Sequence, residues 1–365
     1  MCKRILKSET NNKGGIPFYK IGSFGKKTDV FIDKDKFELY KSKYPYPKKG
    51  DVLISAAGSI GKTVIFDGKD SYFQDSNIVW IDNDETKVLN PYLQYCYKNA
   101  KWKTTVGNTI VRLYNEGIRN TEIRVPSIPE QRKITFVLDK IQSAIDNKKQ
   151  QLALLDEAVK SKFVEMFGNP DINPKGFPVK KINDFANCTA GATPSTKIQD
   201  YWENGTIPWM SSGEVHKGRI FDTDIKISKL GYDSCSTKMI PEHTVVIALA
   251  GQGKTRGTVG VAEIALCTNQ SLCAIITNET INTDYLYSYL QLKYEDLRRI
   301  SNGDGGRGGL NLKLVGNFEV MIPDIALQDR WGAFVQQIDK SKFVIKQQIV
   351  DLQELLNSKM QEYFS

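Results

Sequence analysis

The stretch RVPSIPEQRKITFVLDKIQSAID, residues 124–146, returns in altered form as MIPDIALQDRWGAFVQQIDKSKF, residues 321–343. Gln131 aligns with Gln328, and the same offset continues without a gap until SKFVEMF meets SKMQEYF near the ends of the two segments. A repeat with a fixed offset indicates that one architectural unit occurs twice in the chain. The sequence therefore predicts two related halves, each ending in the same kind of helix.

Upstream of these helices the similarity is weaker but keeps its order. GGIPFYKIGSF resembles GTIPWMSSGEV, and PYPKKGDVLISAAG resembles KMIPEHTVVIALAG. Short β-branched runs at 52–54, 78–80, 245–247 and 272–276 are typical of strands, and glycine, proline and asparagine separate them. We therefore predict an α+β fold, in which each half has a mixed α/β region of about 125 residues followed by a helix of roughly 37.

Both helices carry apolar residues at alternating steps of three and four, which is the pattern of a coiled-coil seam. The seam positions are Ile134, Leu138, Ile141, Ile145, Leu152, Leu155 and Val159 in the first helix, and Val335, Ile338, Ile345, Ile349, Leu352 and Leu356 in the second. The alternative is two unrelated surface helices on two domains. We favour the coiled coil because both helices are long and share a gapless register.

The chain divides into five segments on this interpretation. They are a first variable region at 1–125, a first helix at 126–168, a linker at 169–178, a second variable region at 179–322 and a second helix at 323–365. An antiparallel helix pair would bring together the two points between which the second region is inserted. We predict a pseudo-two-fold dumbbell, with the variable regions at opposite ends of a two-helix rod and turned by about 180° to one another.

Composition argues against a zinc protein, a membrane-spanning protein and a secreted protein. The formal charge of +8 and the pI near 8.9 suit a polyanionic partner but do not require one. The six cysteines contain no CxxC pair and only two histidines occur, so ligand spacings typical of zinc sites are missing. No run of about 20 apolar residues occurs, and the start MCKRILKSETNN lacks a signal-peptide core. We expect a reduced cytoplasmic protein with no metal site.

Two glycine-rich stretches contain Gly-Lys-Thr: ISAAGSIGKTVIF at 54–66 and ALAGQGKTRGTVGVA at 248–262. A phosphate-binding P-loop needs an earlier glycine, where positions 56 and 248 are alanine, and a helix afterwards. The following residues are β-branched and predict a strand instead. We interpret both stretches as hairpins whose turns present cationic groups to DNA. A nucleotide-hydrolysing loop and a merely solvated basic hairpin are the alternatives.

The duplicated order of these motifs resembles the specificity subunit of type I restriction–modification enzymes. The motifs IPF and IPW, GDVLIS followed by GSIGK, GQGKTRGTVG, and the helix ends SKFVEMF and SKMQEYF carry the resemblance over essentially the whole chain. It implies two target recognition domains, separated by the two helices of a spacer coiled coil. It also implies a non-catalytic protein in which each recognition domain reads one half of a bipartite, asymmetric site in double-stranded DNA.

The same resemblance implies the partners. Two methyltransferase subunits would dock on the spacer helices, and restriction subunits would join them in the full complex. No cofactor is expected on this chain, because S-adenosylmethionine and ATP would be bound only by the partner subunits. The alternatives are an NTPase that uses the Gly-Lys-Thr loops and a coiled-coil scaffold whose end domains bind protein rather than DNA.

Polar and cationic residues on turns are the candidates for DNA contact. In the first half they are Lys26, Lys27, Ser59, Lys62, Gln74, Asn77, Arg112 and Asn115. In the second half they are Lys217, Arg219, Gln252, Lys254, Arg256, Asn269, Gln270, Arg307 and Asn311. Phe18 and Trp209 are interpreted as core residues rather than stacking platforms.

The two halves differ at their beginnings. About thirty residues precede IPWM in the second half, including VKKINDFANCTAGATPSTKIQDYW from Val179, whereas fifteen precede IPFY in the first. These fifteen residues match nothing in the longer segment. We therefore expect the first domain to lack an opening strand and the TPS loop, and to depend on the chain end or a partner to replace them.

Overall fold

The computed structural model describes residues 1–106, 111–251, 253–301 and 309–364. The chain forms two compact units. Unit 1 comprises Met1–Lys149 together with Lys346–Ser365, and unit 2 comprises Gln150–Ile345. The division differs from the five predicted segments, because each unit includes part of both long helices. The α+β class is confirmed.

Unit 1 is a mixed region followed by the first half of a long helix. Its elements are β1 (Ile16–Tyr19), β2 (Phe31–Ile32), α1 (Lys34–Lys43), β3 (Val52–Ser55), β4 (Thr63–Ile65), β5 (Tyr72–Phe73), β6 (Ile78–Trp80), α2 (Asn90–Asn99), β7 (Thr105–Val106), β8 (Val111–Arg112), α3 (Asn115–Arg119) and the start of α4 (Ile128–Phe167). The strands form sheets in the orders β2-β1-β5, β4-β3-β6 and β7-β8.

Unit 2 is built on the same plan with more strands. Its elements are the end of α4, β9 (Val179–Lys181), β10 (Ala186–Ala190), β11 (Ile207–Met210), β12 (Arg219–Ile220), β13 (Ile225–Ile227), α5 (Lys229–Asp233), β14 (Met239–Ile240), β15 (Thr244–Ala248), β16 (Val259–Ala262), β17 (Leu266–Thr268), β18 (Leu272–Thr277), α6 (Thr283–Leu292), α7 (Tyr294–Ile300), α8 (Leu312–Gly316), β19 (Glu319–Met321) and the start of α9 (Ile325–Phe364), whose end belongs to unit 1. The sheets have the orders β10-β18-β15-β16-β12, β13-β11-β17-β14 and β19-β9.

The predicted strand runs all form strands, and the central ones are buried. Every residue of β3 and of β15 is buried, which explains their continuous β-branched sequences. Phe18 and Trp209 are also buried, at 3% and 5% exposure, so their interpretation as core residues is confirmed. Asn90 is the first residue of helix α2.

The helices α4 and α9 have 40 residues each, slightly longer than predicted. All thirteen predicted seam residues are buried or half-buried. In unit 1, residues from the start of α4 and the end of α9 share one apolar cluster, and in unit 2 the end of α4 packs with the start of α9. The two helices therefore run antiparallel within each unit, as predicted. No helix in the described ranges is long and apolar enough to cross a membrane.

The aligned glutamines Gln131 and Gln328 perform the same task in the two units. Gln131 accepts a hydrogen bond from Leu89 N at 2.8 Å and donates to the carbonyls of Lys87 and Pro126, both at 2.8 Å. Gln328 accepts a hydrogen bond from the backbone N–H of Asn282 at 2.9 Å and donates to the carbonyls of Thr280 and Pro323. Both side chains are fully buried, so each fastens the start of a long helix to the loop before an adjacent helix.

Candidate DNA interface

The first Gly-Lys-Thr stretch is a hairpin turn. Strands β3 and β4 pair antiparallel, with Ile54 opposite Thr63, so a strand and not a helix follows the glycines. Gly61 has a φ of +83°, and a Cβ at this position would lie 2.4 Å from Trp102 Nε1. The glycine therefore serves a tight turn against an indole ring. This geometry is incompatible with a P-loop, where a helix amino terminus must face the phosphates.

The second Gly-Lys-Thr stretch is the loop between β15 and β16, which pair antiparallel. Its backbone is fixed from one side by α7: Tyr294 Oη donates to the Lys254 carbonyl at 2.9 Å, and Arg298 Nη1 donates to the Gly253 carbonyl at 2.7 Å. His216 Nε2 lies 3.0 Å from Thr255 Oγ1. These contacts hold the loop in place while Lys254 remains exposed.

In each unit, main-chain hydrogen bonds to one residue join three loops, and we call this arrangement the three-loop junction. In unit 1, Ala56 N donates to Asn77 O at 2.8 Å and Ala56 O accepts from Leu113 N at 2.9 Å. In unit 2, Leu249 N donates to Ser271 O at 2.8 Å and Leu249 O accepts from Leu310 N at 3.0 Å.

The residues around this three-loop junction come from three separate parts of each half. The hairpin turn, the loop before β6 or β18, and the segment before α3 or α8 start from adjacent backbone positions. Most of the predicted contact residues lie on these loops, so the structure brings together residues that are far apart in sequence.

In unit 1 three of the four cationic candidates, Lys26, Lys27 and Lys62, lie at or beside one turn. The Lys62 ammonium donates to the Phe24 carbonyl, so it lies against the turn that carries Lys26 and Lys27. All three lysines are exposed. Ser59 is exposed on the hairpin turn and its carbonyl accepts a bond from Ser55 Oγ.

The other unit 1 candidates surround the same junction. Gln74 is half-buried, and its Oε1 accepts from Ile21 N at 3.0 Å, which closes a turn. Asn77 supplies a junction carbonyl, and Arg112 forms a bridge with Ala57. Asn115 is exposed at the start of α3.

In unit 2 the structure assigns Arg219 a different task from the predicted one. Its guanidinium forms ion pairs with Glu263, Asp284 and Asp339, and its side chain is only 15% exposed. Burial opposes the charge, but the Asp284 and Glu263 carboxylates outweigh it and raise the pKa of Arg219. A base edge could engage this side chain only after three ion pairs broke, so we remove it from the proposed contact set. Lys217 forms ion pairs with Glu214 and Asp224, but its side chain is 36% exposed and can still be reached by a ligand.

The amide candidates of unit 2 also have structural partners. Asn269 Oδ1 accepts from Ser271 N at 3.0 Å, and Asn311 caps α8 by accepting from Leu314 N at 2.9 Å. Gln270 is exposed and accepts from Thr193 Oγ1 at 2.5 Å, which ties the TPS loop to the junction. Arg256 is half-buried. Gln252 and Arg307 lie outside the described residues.

Sequence reasoning missed the residues that support the loops. Thr193, His216, Tyr294 and Arg298 contact the candidate loops from other elements, and no local pattern marks them. The one available signal was TPS itself, because it precedes IPWM in the second half and is missing from the first.

A family model for the type I restriction modification DNA specificity domain matches residues 1–157 and 174–354. The two matched stretches include both three-loop junctions and the first 30 of the 40 residues of each long helix. The chain belongs to this family of type I specificity domains.

Curated relatives of the specificity-domain family match over different parts of the chain. A Haemophilus influenzae protein described as a type I restriction enzyme specificity subunit is 55% identical over 163 residues, which is 45% of this chain and 42% of that protein. The MjaIX specificity subunit of Methanocaldococcus jannaschii is 24% identical, over 84% of this chain and 75% of its own. The EcoR124I/EcoR124II specificity subunit of Escherichia coli is 25% identical over 163 residues, which is 44% of this chain and 40% of that protein. The alignments to the first and third thus span less than half of those relatives.

Solved structures share the fold of this specificity-domain protein. The crystal structure of a type I restriction-modification system S subunit from M. genitalium aligns with a TM-score of 0.62. The alignment covers 100% of this chain and 92% of that chain at 16% identity. A chain from a study of type I complex assembly aligns with a TM-score of 0.50 at 14% identity. At these identities the likeness establishes the architecture alone.

Proposed function

We propose that this chain is the DNA specificity subunit of a type I restriction–modification enzyme and that it has no catalytic activity of its own. The observation that carries the proposal is the family match over both units, combined with the same three-loop junction in each. Each junction would present one set of loops to one half of a bipartite DNA site. Because the loop residues differ between the units, the two half-sites would differ in sequence.

Phosphate and base contacts would be divided among the loop residues. Lys26, Lys27 and Lys62 in unit 1, and Lys254 in unit 2, are exposed cations suited to the phosphate backbone. Gln270 and Asn115 are exposed amides, and side-chain amides recognise adenine by two hydrogen bonds in the major groove. Lysines would therefore supply affinity, and amides would supply part of the sequence preference.

The long helices would bind the methyltransferase subunits and set the spacing between half-sites. Several large apolar side chains on them are exposed, and the proposed partners would cover these side chains. These residues are Phe136 and Leu154 on α4, and Phe343, Val344, Val350 and Leu355 on α9. Two methyltransferase subunits, and restriction subunits in the full complex, are the proposed partners. S-adenosylmethionine and ATP would be bound by those partners, in the cytoplasm where the DNA lies.

Methylation mapping tests the proposal. The chain is co-expressed with a type I methyltransferase subunit that co-purifies with it, and the methylated positions in host DNA are sequenced. We expect a single split motif with two defined half-sites and a fixed spacer. If a stable complex forms but leaves no split motif, the specificity function is wrong.

DNA binding separates this function from a protein-binding scaffold. Gel shifts of the complex on random duplex at low and high salt should show retardation that weakens as salt increases, because phosphate contacts release counterions. A scaffold that binds only protein would give no shift at either salt concentration.

A further inference from the structure

The two Gly-Lys-Thr hairpins close with the same main-chain bond, although their loops differ in length. In unit 1, Gly61 N donates to Ser55 O at 3.0 Å, and in unit 2, Gly257 N donates to Ala248 O at 2.9 Å. Both glycines have a φ of +83°. Five residues separate Ser55 from Gly61 and form the first hairpin loop, whereas eight separate Ala248 from Gly257 and form the second. The second hairpin loop is therefore the one that needs more support.

The first hairpin loop is closed by its own serine. Ser55 Oγ donates to the Ser59 carbonyl and accepts a hydrogen bond from Lys62 N at 2.9 Å. Ser55 is only 1% exposed, so water competes little for these bonds. The equivalent residue of unit 2 is Ala248, which has no hydroxyl. The second hairpin loop must therefore be held from outside.

Helix α7 supplies that support. Arg298 Nη1 and Tyr294 Oη donate to the carbonyls of Gly253 and Lys254, as described above. Arg298 Nη1 also donates to Tyr294 Oη at 2.9 Å, so the two side chains and the loop form one chain of hydrogen bonds. A Cβ at Gly257 would lie 3.4 Å from Arg298 Cγ, which places the end of the loop directly against the helix.

Helix α7 is itself anchored in unit 2. Leu297 is 0% exposed and belongs to the main apolar cluster of the unit. Lys293, just before the helix, is 13% exposed and forms ion pairs with Asp171 and, at 2.9 Å, with Asp296. The two side chains that contact the loop are four residues apart, so they lie on one face of the helix. The position of the loop backbone is thus set by a helix that is fixed to the core.

We propose that Tyr294 and Arg298 position the second hairpin loop for DNA recognition, and that Ser55 positions the first. The inference rests on the proposed function and adds to it the residues that hold each set of loops in register. Phosphate contacts fix the register of a protein on the duplex, and base contacts then specify the sequence. Such contacts need their groups held to within about 0.5 Å. A loop without its support would therefore recognise its half-site less strictly while keeping its charge.

DNA binding by two variants tests the proposal. Tyr294→Phe removes one hydroxyl and keeps the ring, and Ser55→Ala removes the hydroxyl that closes the first loop. Each variant is assembled with the co-purifying methyltransferase subunit, and its affinity is measured for the methylated motif and for duplexes with single mismatches. We expect discrimination to fall about tenfold at one half-site for Tyr294→Phe and at the other for Ser55→Ala. The salt dependence should stay unchanged, because Lys254 and Lys62 are retained.

Hydrogen exchange of the free chain tests the support without DNA. Arg299→Ala is the matched control for Arg298→Ala, because both remove an arginine from α7. The Arg299 side chain is 77% exposed and pairs with Asp296 at 3.0 Å. The amides of residues 253–258 should exchange about tenfold faster in Arg298→Ala than in Arg299→Ala, since the first variant loses the bond to Gly253. Equal exchange rates would overturn the proposal, even if Tyr294→Phe or Ser55→Ala failed to fold.

The mismatch measurements distinguish a failure of this inference from a failure of the proposed function. If the unchanged chain directs methylation to a split motif but Tyr294→Phe and Ser55→Ala discriminate as it does, the positioning roles are wrong and the function stands. Equal relaxation of both half-sites by either variant would also reject those roles, because each support belongs to one unit. If the unchanged chain yields no split motif, the proposed function is wrong and the inference falls with it.

Discussion

Arg219 and Lys254 are both cations that follow a turn, yet their surroundings give them opposite tasks. The three guanidinium nitrogens of Arg219 form ion pairs with three carboxylates. These belong to Glu263, which follows β16, to Asp284 on α6 and to Asp339 on α9. Lys254 is exposed, and its backbone carbonyl accepts hydrogen bonds from the side chains of Thr258 and Tyr294. Arg219 therefore organises unit 2, whereas Lys254 remains available to a ligand.

Arg219→Ala should destabilise the protein by about 3 kcal/mol, because three carboxylates would lose their shared cation in a largely buried site. The free energy of unfolding is measured by urea titration, followed by the fluorescence of the tryptophans. Lys217→Ala is the matched control, since its half-exposed ion pairs predict a loss of about 1 kcal/mol or less. Equal losses for the two variants would show that the Arg219 cluster is energetically no different from a surface pair.

The Cys96 thiol should resist alkylation in the folded protein. Burial raises the pKa of Cys96 to about 12, so little thiolate exists at pH 8.5. Since this pKa is raised on folding, the stability it confers is complete below pH 9 and is lost as the pH rises towards 12. Mass spectrometry after a short iodoacetamide treatment at pH 8.5 should find Cys96 unmodified until urea is added. Modification of Cys96 at the rate of the unfolded chain would contradict its burial.

At the scale of elements, the helix seam is not uniform. Leu138 is fully buried in a cluster with tyrosines of α2, while Leu152, nearer the middle of α4, is half-buried. The seam therefore has a well-packed portion where a variable region covers it and a more open portion between.

Leu138→Ala should cost 2–5 kcal/mol, in the usual range for a buried leucine, and Leu152→Ala should cost about 1 kcal/mol. Denaturant unfolding of each full-length variant provides the comparison. A larger loss at Leu152 than at Leu138 would mean that the middle of the seam, rather than its covered part, holds the helices together.

The exposed loop lysine provides a test of DNA contact. Lys254→Ala should reduce the salt dependence of DNA binding by about 0.9 in the slope of log K against log salt, the value for one lost phosphate contact. Binding of the assembled complex to its methylated motif is measured at several salt concentrations. Lys346→Ala, an exposed change on α9, is the control and should leave the slope unaltered. An unchanged slope for Lys254→Ala would remove this loop from the interface.

Features that depend on residues close together in the sequence could be predicted, whereas contacts between residues far apart in the sequence could not. The helices were predictable because their seam repeats locally, and β3 and β15 because continuous apolar runs mark buried strands. The partners of Arg219 were not, because Asp284 and Asp339 lie 65 and 120 residues further along the chain. The three-loop junction was equally hidden, since it consists of main-chain hydrogen bonds that leave no mark on residue type.

At the scale of the whole molecule, the proposed function makes the helices a spacer between two readers. Adding seven residues to both helices, after Asn147 and after Val344, would preserve the apolar pattern and lengthen each helix by about 10 Å. At 3.4 Å per base step, we expect the spacer of the methylated motif to grow by about three base pairs.

Methylation mapping of the lengthened protein measures that spacer directly. Insertion into α4 alone is the control, because it shifts one seam against the other and should abolish the complex. Methylation of an unchanged motif by the doubly lengthened protein would mean that the helices do not determine the distance.

The two junctions on Ala56 and Leu249 consist of amide–carbonyl bonds and use no side chain. The side chains of the exposed loop residues take no part in these bonds, so the frame tolerates sequence change in the loops that it carries. A lineage could accumulate changes in those loops, and so acquire new sequence preferences, without first having to reinvent the scaffold. Main-chain hydrogen bonds of this kind allow the recognition loops to change in sequence while the fold that carries them stays the same.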